Sequence, residues 1–222
     1  MLESYKSKYS YGDYEVLRKN GIRYYQINAD LLVPSVTSIL IATRPNFLTI
    51  PKKIKNEQTN SVEIGNLMHK YLDHYVSQET DFFDENKNFQ IAKNLAKIII
   101  DNCLKDIDEI WGTEVSVCYK EKYAGTIDLI GIMNGKLIII DYKSSYRKKT
   151  IDELDEYFLQ LAAYTLAHDW QHGTKTDSIM IFLCMRNGTH EKRVVSSSEL
   201  VFYQQKWLER LTMFEKLRQN NE

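Results

Sequence analysis

Apolar and polar residues alternate along this chain with two different periods, and the switches between them mark its elements. In "DYEVLRKNGIRYYQI" (13–27) apolar residues flank Asn20-Gly21, a dipeptide suited to a type I′ turn, so a hairpin is expected. "PSVTSILIAT" (34–43) reads as a short helix, and the polar, basic stretch 44–60 as a loop or mobile cover. Over 61–76, Ile64, Leu67, Met68, Tyr71, Leu72, Tyr75 and Val76 recur at helical spacing. A second helix is expected over about 88–110, with Phe89, Ala92, Leu95, Ala96, Ile99 and Leu104 on its apolar side. "TEVSVCY" (113–119) alternates as a strand does. Over 150–170 the stripe Ile151, Leu154, Phe158, Leu161, Ala162 and Leu166 predicts a helix, and Thr150 with Glu153 has the form of a capping box. "DSIMIFLCM" (177–185) reads as a buried strand and "EKRVVS" (191–196) as its neighbour across Asn187-Gly188. Ser197 or Ser198 is expected to cap a last helix over 199–218. Helices, a hairpin, a crossover helix and further strands define an α/β fold. Two parts are expected: an N-terminal hairpin and basic segment (1–60) packed on a core formed by 61–222.

The segment "GTIDLIGIMNGKLIIIDYKSS" (125–145) is apolar except where charge interrupts it. Asn134-Gly135 predicts a tight turn, which sets Met133 opposite Lys136, Ile130 opposite Ile139, and Asp128 opposite Asp141. Such partners have Cβ atoms roughly 4.5–5.5 Å apart. Lys143, two residues past Asp141, points to the same face. Facing carboxylates at about 5 Å repel by roughly 3 kcal/mol at an effective dielectric near 20. One protonation relieves this, and a divalent cation relieves it better. Hard oxygen ligands suit Mg²⁺ or Mn²⁺. The alternative is an Asp128–Lys143–Asp141 charge network without chemistry, which fits a sheet edge better than a strand reading "LIIID". A lysine beside such a cation offsets phosphate charge, and in low-dielectric surroundings its pKa can fall far enough to activate water.

Composition narrows the setting. Of 222 residues, 43% are hydrophobic and 27% charged, ordinary for a globular protein. The sequence has no apolar run of about 18 residues, so no membrane span is expected, and the start lacks the apolar core of a signal peptide. Cys103, Cys118 and Cys184 are scattered and odd in number, which argues against a disulfide framework and for a reducing, intracellular compartment. A net charge of −1 does not announce a nucleic-acid binder. Basic residues nevertheless cluster at 44–55 and 146–149. A solvated surface is the ordinary reading of each run, but the second begins three residues after Lys143.

In this order the motifs resemble the PD-(D/E)XK nuclease superfamily, and within it the RecB-type branch with its genome-maintenance and phage exonucleases. "GTID" and "DYK" match the acid and D-x-K elements, without the proline of the superfamily's name. "QLAAY" (160–164) matches Q-x-x-x-Y, "GNLMH" (65–69) resembles G-x-x-x-H, and "PSVTSIL" adds to the likeness, which covers about 34–170. The resemblance implies a restriction-endonuclease-like core with a central mixed β-sheet flanked by helices, here 61–222. It implies that His69, Asp128, Asp141 and the Tyr142 carbonyl hold Mg²⁺ or Mn²⁺. Lys143 would assist the attacking water, while Gln160 and Tyr164 support the site or the DNA strand. Gly65, one turn before His69, would give room for close approach, and Glu114 is a possible outer-shell acid. His74, His168, His172 and His190 match no motif and read as structural or surface residues. Some relatives hold an iron–sulfur cluster on four cysteines; three scattered ones argue against it here.

The function so implied is metal-dependent DNA exonuclease activity in a phage or bacterial host cytoplasm. An endonuclease of the same fold or a catalytically silent nucleic-acid-binding module are the alternatives. No phosphate-binding G-x-x-x-x-G-K-[ST] loop is present, so the substrate is expected to be single-stranded or frayed, or unwound by a partner. A helicase, single-strand-binding protein or annealing protein would fill that role. Lys52, Lys53, Lys55, Arg147, Lys148 and Lys149 are the expected backbone contacts, and Tyr123, Tyr142 and Tyr146 are aromatics placed to stack on bases.

Overall fold

A computed structural model describes residues 7–45, 55–79 and 85–220. Its centre is a five-stranded sheet, ordered β4 (Glu109–Tyr119), β5 (Tyr123–Met133), β6 (Lys136–Ser145), β7 (Ser178–Met185) and β8 (His190–Ser196). Only β6 and β7 run parallel among these neighbours, which requires a crossover. That crossover is α4 (Ile151–His172), opened by the expected Thr150–Glu153 capping box. On one sheet face α4 packs with α1 (Val36–Ala42) and α5 (Ser197–Gln219), around Ile139, Ile181, Leu161 and Trp207. On the other face α2 (Lys55–Ser77) and α3 (Phe89–Asn102) bury Met68, Leu72, Leu95 and Ile99 against Ile140, Tyr142 and Phe182. The result is an α/β fold with a mixed sheet flanked by helices.

A small antiparallel sheet of β1 (Glu15–Lys19), β2 (Ile22–Asn28) and β3 (Leu31–Pro34) precedes α1. Its first turn has both Asn20 (φ 52) and Gly21 (φ 79) in the left-handed region, as a type I′ turn needs. Tyr25 of β2 donates or accepts a 3.0 Å hydrogen bond with Thr126 of β5, tying the small sheet to the large one.

Several boundaries differ from the sequence reading. The loop expected over 44–60 is helical from Lys55 onward, and Lys52 and Lys53 lie outside the described residues. Helix α3 stops at Asn102, not near 110. Beyond a 3-10 turn at Leu104–Asp106, Glu109 already pairs with Ile132, because β4 extends to match the whole of β5. Neither Ser197 nor Ser198 caps α5; the helix begins at Ser197, and Ser196 occupies the cap without a side-chain bond. Ile151 is 78% exposed, because the first turn of α4 lies ahead of the point where the helix meets the core. No described helix is long and apolar enough to cross a membrane.

The N-terminal segment folds over the end of α4. Tyr9 stacks on His172 at 4.4 Å, and Tyr11 Oη lies 3.2 Å from Nε2 of the fully buried His168. Thr174 Oγ1 donates to Asp169, so it accepts from His168 Nδ1–H, and His168 Nε2 accepts from Tyr11. Burial, reinforced by neighbouring His172, depresses the His168 pKa to about 3. A histidine whose folded pKa is depressed binds its proton more readily unfolded. Its contribution is therefore complete above about pH 6.5 and is lost as pH falls from there toward 3. Urea titrations should show stability falling by up to about 1.4 kcal/mol per pH unit from this group, and His168→Gln should flatten that acid slope.

Candidate active site

Three neighbouring strands and two helices converge at one end of the Asn134-Gly135 hairpin. The β5–β6 ladder has the expected register, with Met133 opposite Lys136 and Leu129 opposite Ile140. One step further, at Asp128 and Asp141, the backbone ladder gives way to a side-chain bond: Tyr142 N–H donates to Asp128 Oδ2 at 2.7 Å. On the other side of β5, the pairs Thr113–Leu129 and Val115–Ile127 bracket Glu114 and Asp128. Glu114, Asp128 and Asp141 thus form one lateral row across β4, β5 and β6. Glu114 sits in the left-handed backbone region (φ 48), which costs a non-glycine residue about 1–2 kcal/mol.

Helix α2 brings His69 onto this row. Its Nδ1 lies 3.2 Å from Glu114 Oε1 and 3.5 Å from Asp128 Oδ1, and its Nε2 lies 3.0 Å from the Tyr142 carbonyl. Ligand atoms of His69, Glu114 and Asp128 all fall within 4.8 Å of one another, close enough to share a cation. Asp141, 1% exposed, is held apart from that cluster by Lys143 at 2.6 Å and by Gln160 of α4, whose Nε2 donates at 3.3 Å. Gln160 also donates to Tyr164 Oη at 3.0 Å. Lys143 Nζ lies 2.6 Å from both Asp141 oxygens, so the ammonium occupies the carboxylate that a cation would otherwise share.

The electrostatics follow from this crowding. Burial opposes charge on His69, but Asp128 and then Glu114 outweigh it and raise its pKa well above the ordinary histidine value. Burial raises Asp141 to about 6, with Lys143 pulling down and Asp128 pushing up. Asp128 is lowered despite its burial, chiefly by His69 and Lys143. Lys143 does not drift toward neutrality, as a low-dielectric pocket alone would cause. Burial lowers it, but Asp141 and Asp128 prevail and its pKa is raised.

The other expected residues divide. Lys55 is the first residue of α2. Arg147 and Lys149 are both paired with Glu153, at 2.8 and 3.1 Å, and Lys148 with Glu191 at 2.8 Å. Tyr123 and Tyr142 are buried and cannot stack on a base, whereas Tyr146 is 58% exposed. Glu114, weighed from sequence only as an outer-shell acid, lies in the first contact layer of His69. Register would have revealed it, but the 120–122 turn is "KEK", without turn chemistry that fixes one.

A buried sheet whose adjoining strands present a row of acids and a lysine, capped by a histidine from a flanking helix, defines an α/β protein with an acidic, cation-competent centre. The chain belongs to the PD-(D/E)XK nuclease superfamily, whose sequence profile matches residues 45–220. It is 24% identical over 208 residues to human mitochondrial genome maintenance exonuclease 1, covering 85% of this chain and 60% of that relative's length. Among solved structures, a provisionally named exonuclease from Eubacterium rectale aligns with a TM-score of 0.47 and 16% identity, covering 76% of this chain and 67% of the other. A phage-related exonuclease from Haemophilus somnus 129PT aligns at 0.41 and 13%, covering 85% and 96%.

The motif glycines have unequal roles. A Cβ on Gly125 would lie 2.3 Å from Tyr164 Cε1, so the ring that holds Gln160 would have to move. A Cβ on Gly65 would meet Ser144 Oγ at 3.7 Å, an ordinary contact, so the space there does not require glycine. Gly125→Ala should therefore destabilise by about 1–3 kcal/mol. Gly65→Ala, in a helix interior, should stabilise by up to about 1 kcal/mol. Equilibrium denaturation of both variants reads the opposite signs.

Proposed function

We propose that this protein is a divalent-metal-dependent deoxyribonuclease that hydrolyses phosphodiester bonds from an end, on single-stranded or frayed DNA. The observation that carries the reading is the meeting of His69, Glu114 and Asp128 within 4.8 Å, beside a buried Asp141–Lys143 pair. The donors fit Mg²⁺ or Mn²⁺: carboxylate oxygens, one imidazole and a backbone carbonyl at Tyr142, with Asp141 joining them as Lys143 turns from it toward the phosphate. When bound, such an ion supplies positive charge at the scissile phosphate and acidity to a water.

The chain's own groups do the rest. Asp128 and Asp141, fixed by the Tyr142 N–H and by Gln160, set the geometry of the centre. Lys143 enters as a cation, orients the attacking water and offsets charge that builds on the phosphate. In-line attack expels the 3′-oxygen and leaves a 5′-phosphate, the product the family implies. Tyr164 anchors Gln160. Lys52, Lys53 and Lys55 supply backbone contacts, and Arg147, Lys148 and Lys149 join them by exchanging their carboxylate partners for phosphates. In this reading 61–222 carries the chemistry and 1–60 packs on it, as Val36, Ile39 and Leu40 do in the shared apolar cluster. Unwinding is left to a helicase, single-strand-binding or annealing protein.

Labelled single-stranded DNA should be degraded with Mg²⁺ or Mn²⁺ and spared with chelator. Asp141→Asn and Lys143→Ala should each cost about 10²-fold or more in rate while circular dichroism stays native. Closed single-stranded circles should survive. Cleaved circles would establish an endonuclease instead, and chelator-resistant cleavage would remove the metal from the account.

A further inference from the structure

The basic run at 146–149 is compensated by acids, but among the described residues a cation beside it is not. Arg186 follows β7, and its N–H donates to the Ser145 carbonyl at 3.0 Å, fixing it to the end of β6. Lys143 and Leu183 pair two rows earlier in the same parallel ladder. The Arg186 guanidinium lies over the Tyr146 ring, 5.1 Å from its centroid. Its Nε and Nη1 are buried and have no hydrogen-bond partner among the described residues. Burial pushes the guanidinium below the ordinary arginine value, so the site holds a partly desolvated charge with no carboxylate paired to it among the described residues. Such a group is costly unless something supplies the missing acceptor. Tyr146 meanwhile keeps more than half its surface open.

Position favours a ligand here. In open α/β sheets ligands bind outside the carboxyl ends of parallel strands, and β6 and β7 end at this point. Tyr146 is three residues past Lys143, about 10 Å along the chain. The opposite flank is unfavourable to phosphate. A groove of about 480 Å³ beside Glu114 is bordered by Asp13 and Asp73, whose charges repel a nucleic-acid backbone.

We propose that Arg186 and Tyr146 form a nucleotide subsite that takes one phosphate on the guanidinium and one unpaired base on the open ring surface. The subsite rests on the nucleolytic reading above and gives that site its preference for single strands, because a paired base does not present its face to Tyr146. Arginine serves here better than lysine: its planar group stacks on the ring while its N–H groups reach the phosphate.

The test is fluorescence anisotropy with a labelled single-stranded oligonucleotide in chelator, where no cleavage competes, across a salt series. Arg186→Ala should weaken binding about tenfold and reduce the slope of log K against log salt by about 0.7. Tyr146→Ala should weaken it about tenfold, and Tyr146→Phe should recover most of that loss. With Mg²⁺, KM for single-stranded DNA should rise in both alanine variants while kcat changes little. If the unaltered protein binds and degrades the oligonucleotide and both alanine variants match it, the subsite is refuted and the nuclease reading stands. If the unaltered protein neither binds nor cuts, both fall together. A loss in Tyr146→Ala that Tyr146→Phe fails to recover would also refute base stacking.

Discussion

Mutual repulsion among the carboxylates of Glu114, Asp128 and Asp141 is the constraint to which this fold answers. Each lies across from the next on adjoining strands, and Asp128 and Asp141 are 9% and 1% exposed, so water screens them poorly. Compensation comes from both sides of the sheet. The α2 layer contributes His69, which reaches Glu114, Asp128 and the Tyr142 carbonyl. The α4 layer contributes Gln160, and β6 itself supplies Lys143. Moving either helix by one turn would strip a partner from a buried acid, so packing of the apolar layers and alignment of the polar centre are one requirement.

The small N-terminal sheet takes part in that alignment. Arg23 donates to Tyr25 Oη at 2.7 Å, and Tyr25 is bonded to Thr126, two residues before Asp128. Tyr25 is 1% exposed and packs with Val33 and Ala124. Ser35 bridges to Ala124 as well. The strand that carries Asp128 is thus clamped from outside the span matched by the family profile.

Much of this was legible in the sequence. Asn134-Gly135 and the apolar alternation around it fix the β5–β6 register, and so place Asp128 near Asp141. The Thr150 capping box fixes the start of α4 and, four residues apart, Gln160 and Tyr164 on one face. What periodicity does not carry is charge pairing between distant segments. Arg147, Lys148 and Lys149 read as free cations until Glu153 and Glu191 are brought beside them. Arg186 carries no such signal either, because its lack of a partner among the described residues is a property of what fails to surround it. The end of α3 is not legible because Leu104 continues the helical period, while Glu109 answers to its strand partner instead.

Glu153 joins two matters that are usually separate. Its carboxylate closes the first turn of α4 through the Thr150 N–H and also neutralises Arg147 and Lys149. Partial burial resists its charge, yet those donors hold its pKa down to about 2. Loss of this one side chain would fray the start of the crossover helix and unmask two positive charges at the same moment. Any change there that strengthens the grip on a polyanion would therefore loosen the element that carries Gln160, and affinity would rise only as the scaffold beneath it softened.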